Sequence, residues 1–250
     1  MKFIKKKDKF YTGTVFEFNL PSGHSCPFAK DCKVKVDEKT GKFNIIGKKF
    51  RCYASSSERF PAVRKHRWDN FRDVLSGKEI VIPKEAKFVR IHASGDFFSQ
   101  KYFDNWLDVC RKNPTVIFWA FTKSVQFWAN RLNEIPSNLV LQASKGGIQD
   151  ELIDKYNLKY AEVFSDINKI PKGMPIDTND DYARSGTQSF ALLDNFKFKK
   201  KAPLSNSSSD KSESFNKDLT ATQQVATPKS ASQTSLNPNI RRNIKKSLRK

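Results

Sequence analysis

No run of about 18 apolar residues occurs in this 250-residue chain, so no transmembrane helix is expected. The N-terminal stretch MKFIKKKDKFYTGTVFEF lacks a long apolar core and a small-residue cleavage site, and no secretory signal is read there. Cysteine is scarce: four in the whole chain are too few for a disulfide framework. A reducing, cytoplasmic setting fits better, and there clustered cysteines more often bind metal. Acidic residues are also in deficit, 26 against 46 Lys and Arg, which leaves a net charge of +20. The stretch after Lys201 supplies about +6 of this, so residues 1–201 keep about +14. Such a charge favours loose association with nucleic acid or another polyanion, and it fits a lysine-rich solvated surface equally well. No sequence repeat is present, and nothing in the sequence fixes an oligomeric state.

What is present divides the chain in two. Apolar residues make up 38% and phenylalanine alone supplies 21, enough for a packed interior. Residues 1–201 read as a single α/β domain with a Cys-rich N-terminal region over about 15–60. Residues 202–250 hold ten Ser and four Thr, almost no aromatics, and end in NIRRNIKKSLRK. That composition offers too little apolar surface to offset ordering entropy, and predicts a disordered tail with a basic end.

Periodicity predicts the elements. TVFEFNLP alternates as a strand, and CKVKVDEKTGKFNIIGKKFRCYA reads as a hairpin about its DEKTGK turn. Its open end brings Cys32 and Cys52 together. A helix over FPAVRKHRWDNFRDVLSG ends at Gly77. From Lys87 a regular alternation begins: KFVRIHA strand, SQKYFDNWLDVCRKN helix with Ser99 as N-cap, TVIFWAFTKS strand, VQFWANRLNE helix, NLVLQASKGG strand, IQDELIDKYN helix, YAEVFSD strand. Strand and helix alternating at this spacing mean parallel βαβ units with a sheet buried on both faces.

Chemistry in such sheets collects at the carboxyl ends of the strands. Those ends carry Ser94, Gly95 and Asp96, then Thr122 and Lys123, then Ser144 and Lys145. Gly95 permits close backbone approach, and Asp96 either accepts from a ligand ammonium or caps the following helix. Lys123 and Lys145 suggest an anion or carboxylate site, or are surface lysines. His92 reads as an internal hydrogen-bonding residue. Cys110 falls on the stripe Phe103, Trp106, Leu107, Cys110 and is assigned to packing. Cys26, Cys32 and Cys52 differ, because they lie in loop and hairpin sequence. Three thiolates fit a [4Fe–4S] cluster with one iron left open, or a zinc site completed by His24. Spacing leaves both readings standing.

Taken together, SCPFAKDC, CYAS, VRIHASGDFFSQKYFDNW, FWAFTKS, ASKGG and SGTQSFALL resemble the phage gene product 88 family, over about residues 15–195. A more distant likeness is to radical S-adenosylmethionine enzymes. These carry three cluster cysteines after the first strand of a partial (β/α) barrel, and a Gly-rich acidic motif at the second strand end. The likeness implies a barrel-like winding of the sheet and a cluster on Cys26, Cys32 and Cys52. Ser94 and Asp96 would then lie at the amino end of S-adenosylmethionine, with Lys123, Ser144 and Lys145 at its carboxylate or the substrate. Here five and then nineteen residues separate the cysteines, with the hairpin between them. A zinc-stabilised, basic nucleic-acid-binding protein is the alternative.

Overall fold

The computed structural model describes residues 1–7 and 14–194, so the tail predicted after residue 201 lies outside the described residues. In chain order the elements are β1 (Ile4–Lys6), β2 (Val15–Phe18), β3 (Val34–Val36), β4 (Phe43–Ile45), α1 (Pro61–Leu75), β5 (Phe88–Ile91), α2 (Gln100–Lys112), β6 (Ile117–Thr122), α3 (Val125–Ala129), β7 (Leu139–Ser144), α4 (Glu151–Lys155), β8 (Tyr160–Phe164), α5 (Asp181–Ser185) and β9 (Phe190–Leu193). A 3-10 helix, Tyr53–Arg59, links the hairpin to α1.

Seven strands form one sheet in the order β1-β2-β5-β6-β7-β8-β9. β1 is antiparallel to β2, and every later pair is parallel. The parallel strands follow one another in sequence order, so the sheet winds in one direction and stays open between its edges β1 and β9. β3 and β4 pair separately as a two-stranded ribbon. The α/β class, the parallel units and the Cys-region hairpin are therefore as expected.

Alternation along each strand divides the sheet into two faces. One carries Phe16, Phe18, Val89, Ile91, Phe118 and Ala120, which meet Phe103, Trp106, Leu107 and Cys110 of α2. The other carries Val15, Phe88, Ile117, Trp119, Val140, Ala161 and Phe190, covered by Ala183 of α5. Burial on both faces is why IFWAFT has no polar alternation before Thr122. Phe18, Phe97, Phe103, Trp106 and Phe118 are fully enclosed, and each contributes roughly 2 kcal/mol by removing apolar surface from water.

Two helices are shorter than their sequence patterns predict. VQFWANRLNE gives only α3, then a separate 3-10 turn at Leu132–Glu134. The Arg131 guanidinium donates to both carboxylate oxygens of Asp104 on α2, and this tertiary pairing accompanies the break. IQDELIDKYN gives α4, which ends before Asn157 in the left-handed region at φ 50°. α2 begins as expected, with Ser99 Oγ accepting from the Tyr102 N–H at 3.2 Å.

α1 packs polar side chains inward: Arg64, Arg67 and Asn70 are all buried. Arg67 Nη1 lies 2.7 Å from Glu58 Oε1, which also accepts the Ser22 N–H at 2.8 Å. The pair is almost fully enclosed and joins the loop before Cys26 to the 3-10 helix after Cys52. Removing one member of a buried pair leaves an uncompensated charge. Glu58→Ala should therefore lose about 3–5 kcal/mol in a denaturant melt, while a double Glu58→Leu, Arg67→Met variant should lose less.

Candidate functional site at the carboxyl edge of the sheet

The loop after β2 lies across the ends of the following strands. The Leu20 N–H donates to the Ser94 carbonyl at 2.9 Å, and the Ser94 N–H donates to Asn19 Oδ1 at 2.9 Å. Gly95 sits at φ 92°, and a Cβ there would meet Ser25 Oγ at 2.6 Å and Leu20 Cβ at 2.7 Å. Close backbone approach is thus required, but the neighbour is the cysteine loop itself. Further along, the Lys30 and Asp31 N–H groups both donate to the Gly146 carbonyl, and Ile148 N–H donates to the Phe28 carbonyl. Gly146 has φ 95°, with the Asp31 side chain 3.1 Å from where a Cβ would stand. Asp150 holds this loop by accepting the Gly146 and Gly147 N–H groups at 2.8 and 2.9 Å.

This docking gathers Cys26, Cys32 and Cys52. Each keeps some solvent contact yet is set deep among neighbours. Burial pushes the Cys26 thiol well up, and the charges of Asp96, Cys52 and Cys32 push it further. Burial raises Cys32 to about 11, against the lowering influence of the Lys123 ammonium. Cys52 is raised by burial too, with its carbonyl accepting the Ser55 N–H and Oγ–H. Cys26 and Cys32 thus feel the Asp96 charge, and Cys32 that of Lys123, whereas the charges acting on Cys52 are those of Glu58 and Arg67. Cys110 is fully buried in the α2 core and stands apart. Among the described residues, no group of three or more His, Cys, Asp or Glu is placed to hold a metal ion. His24 lies with Nε2 3.0 Å from the Val36 carbonyl and its ring 4.8 Å from that of Trp68.

Asp96 is a tie between strand ends. Its Oδ1 accepts the Thr122 hydroxyl at 2.6 Å and the Phe97 N–H at 2.8 Å, and its Oδ2 accepts the Lys123 N–H at 2.8 Å. Burial lifts its carboxyl to about 6 despite those donors. It does not cap α2, a position that Ser99 fills. Lys123 continues the tie, for its ammonium donates to the Ser144 carbonyl, Ser144 Oγ and the Lys145 carbonyl at 2.9, 2.8 and 2.6 Å. Thus Asp96, Thr122, Lys123 and Ser144 come together, largely bonded to one another. Lys145 points elsewhere: its ammonium lies 4.0 Å from the Tyr160 ring centroid and 3.6 Å from Glu162. It lines a cavity of about 310 Å³ with Asp31, Lys49, Asp150, Glu162 and Asp194. Ser94 Oγ is buried and has no hydrogen-bond partner among the described residues.

His92 behaves as the internal residue expected, Nε2 lying 2.8 Å from the Tyr102 hydroxyl. Burial lowers its pKa to about 3, so the ring is neutral. Several contributors were not singled out in the sequence. Tyr53 donates its hydroxyl to the Ala93 carbonyl at 2.8 Å and receives Arg90 Nη2 at 3.0 Å. Its position next to Cys52 was the one available signal. Asn19, Glu58 and Asp150 gave none beyond a polar residue in a loop.

A family model described as gene product 88 matches residues 2–213. The chain belongs to the gene product 88 family. Among its relatives, the Gene 88 protein of Mycobacterium phage L5 is 33% identical over 140 residues, 48% of this chain and 52% of that protein. The Gene 88 protein of Mycobacterium phage D29 is 32% identical over the same shares. The chain thus spans about half the length of the curated gene product 88 relatives it matches. No solved structure matches it. No helix among the described residues is long and apolar enough to cross a membrane.

The tie makes a clear prediction for Asp96. Asp96→Ala would leave the buried Phe97 and Lys123 N–H groups without acceptors, at about 1–3 kcal/mol each. The variant should lose at least about 2 kcal/mol in a denaturant melt. A change under about 0.5 kcal/mol, the range of a plain surface substitution, would mean that the tie contributes nothing.

Proposed function

We propose that this member of the gene product 88 family is an iron–sulfur protein resembling radical S-adenosylmethionine enzymes, with Cys26, Cys32 and Cys52 as the cluster ligands. The observation that supports the reading is that three thiols from the loop and hairpin lie within electrostatic reach of one another at the carboxyl edge of a parallel sheet. A tetrahedral zinc ion needs its ligand atoms drawn around a single centre at about 2.0–2.3 Å. A [4Fe–4S] cube takes each thiolate on a different iron and so spreads them apart.

The surrounding side chains fit a negatively charged group. The Lys123 ammonium spends its donors on three oxygens, and its charge favours the thiolate form of Cys32. Ser94 Oγ, buried and without a partner among the described residues, is the acceptor beside the cysteine loop. In this reading Ser94 receives the amino end of S-adenosylmethionine. Asp96 and Thr122 fix the edge to which it binds, a change from the direct ligand role that the sequence suggests for Asp96. When bound, the cluster supplies an electron to the cofactor. Gly95 sets the cysteine loop against the strand end, and the raised thiols give up their protons as metal binds. The Mycobacterium phage relatives support a phage-encoded product working in the host cytoplasm.

Anaerobic purification followed by iron, sulfide and zinc analysis tests the assignment. Wild type should hold about four irons and four sulfides per chain. Cys26→Ser, Cys32→Ser and Cys52→Ser should each lose most of the iron, whereas Cys110→Ser should keep it. Equal loss in all four, or zinc in place of iron, refutes the reading. Calorimetric titration of the reconstituted protein should find S-adenosylmethionine bound about tenfold more weakly by Ser94→Ala than by wild type, as loss of one hydrogen bond to a charged group implies.

A further inference from the structure

The ribbon of β3 and β4 stands outside the main sheet, and its two faces differ. Val34 and Val36 face inward and are fully buried. Register pairs Lys35 with Asn44, while Lys33 faces Ile46 and Asp37 faces Lys42 across backbone hydrogen bonds. Strand alternation therefore puts Lys33, Lys35, Asp37, Lys42, Asn44 and Ile46 on the outer face, with the Asp37 carboxylate turned onto the Lys39 and Thr40 N–H groups. Lys42, Asn44 and Ile46 are exposed there.

Charge on this segment is concentrated and uncompensated. Residues 30–51 carry eight Lys or Arg against three acids, Asp31, Asp37 and Glu38. Those acids are committed. Asp31 pairs with Lys49, Glu38 pairs with Arg72 of α1, and the Asp37 carboxylate accepts the Lys39 and Thr40 N–H groups in the turn. Lys33, Lys35 and Lys42 have no carboxylate partner among the described residues. On the helices, Lys65, Arg72, Arg111 and Lys112 are paired to acids, while Lys101 is not among the described ion pairs.

We propose that the outer face of this ribbon binds duplex DNA. A two-stranded ribbon enters a major groove of about 12 Å, whereas the deep, narrow major groove of A-form RNA does not admit it. Lys33, Lys35 and Lys42 neutralise phosphates, and Asn44, opposite Lys35, presents an amide of the type that reads adenine. The stems of the ribbon lead to Cys32 and Cys52, and its exit residues Lys49 and Phe50 line the 310 Å³ cavity beside Lys145. DNA held on the ribbon therefore lies next to the carboxyl edge of the sheet. The inference goes beyond the cluster reading and does not depend on it.

The test is fluorescence anisotropy of the full chain on a labelled 20-base-pair duplex, from 50 to 200 mM salt. The triple variant K33Q/K35Q/K42Q should bind at least tenfold more weakly at 100 mM salt. Its log–log salt slope should fall by about 2–3, as loss of three phosphate contacts implies. A control triple at unpaired lysines elsewhere, K84Q/K87Q/K101Q, should change the slope by less than about 1. Melting temperature and iron content matching wild type in the ribbon triple separate lost contacts from lost folding or a lost cluster. The proposal is overturned if wild type does not bind the duplex, if the ribbon triple keeps its slope, if the control triple loses as much, or if an RNA duplex of the same sequence binds more tightly.

Discussion

The carboxylate of Asp96 takes one hydroxyl and two backbone N–H groups, and so fixes the ends of β5 and β6 to each other. The residue it holds by the backbone, Lys123, reaches on to β7 with three donors from one ammonium. Two side chains thus lock three consecutive strand ends in place. Neighbouring parallel strands are bonded along their length but diverge where they stop, and polar groups there need partners once a loop covers them. The cover is the cysteine loop, which approaches because Gly95 and Gly146 have no side chain to obstruct it. The loop that carries Cys26 and Cys32 docks on these strand ends through Leu20, Lys30 and Asp31.

The electrostatics follow as well. Burial alone holds the thiols protonated, and the Asp96 charge adds to this at Cys26. Lys123 acts in the opposite sense at Cys32. The edge therefore holds neutral thiols beside a buried ammonium whose donors are spent on neutral oxygens. Outside it, the ribbon carries Lys33, Lys35 and Lys42 with no carboxylate partner among the described residues.

Much of this was legible in the sequence. The parallel strands, α2 with its Ser99 cap, the hairpin and the packing role of Cys110 follow from period and spacing. The truncation of α3 was not, because the local pattern continues while Arg131 leaves it for Asp104. Short edge strands such as β1 and β9 carried too few residues for a periodic signal. At the site, sequence placed Ser94, Asp96, Thr122, Lys123, Ser144 and Lys145 at strand ends but gave no hint of which bond to one another. Asp96 reads as a ligand residue and is tied to its neighbours, whereas Lys145 reads as its companion and faces a separate cavity. Those distinctions depend on which side chain reaches which strand, which no spacing along one strand encodes.

The account rests on three thiols forming one site that leaves a fourth iron open. Electron paramagnetic resonance of the anaerobically reconstituted, reduced protein, recorded before and after addition of S-adenosylmethionine, tests this most directly. The account predicts a [4Fe–4S] signal that changes its g-values when the cofactor is added, and no such signal in Cys26→Ser. A cluster signal unmoved by the cofactor, or a protein that takes up zinc and no iron, would contradict it.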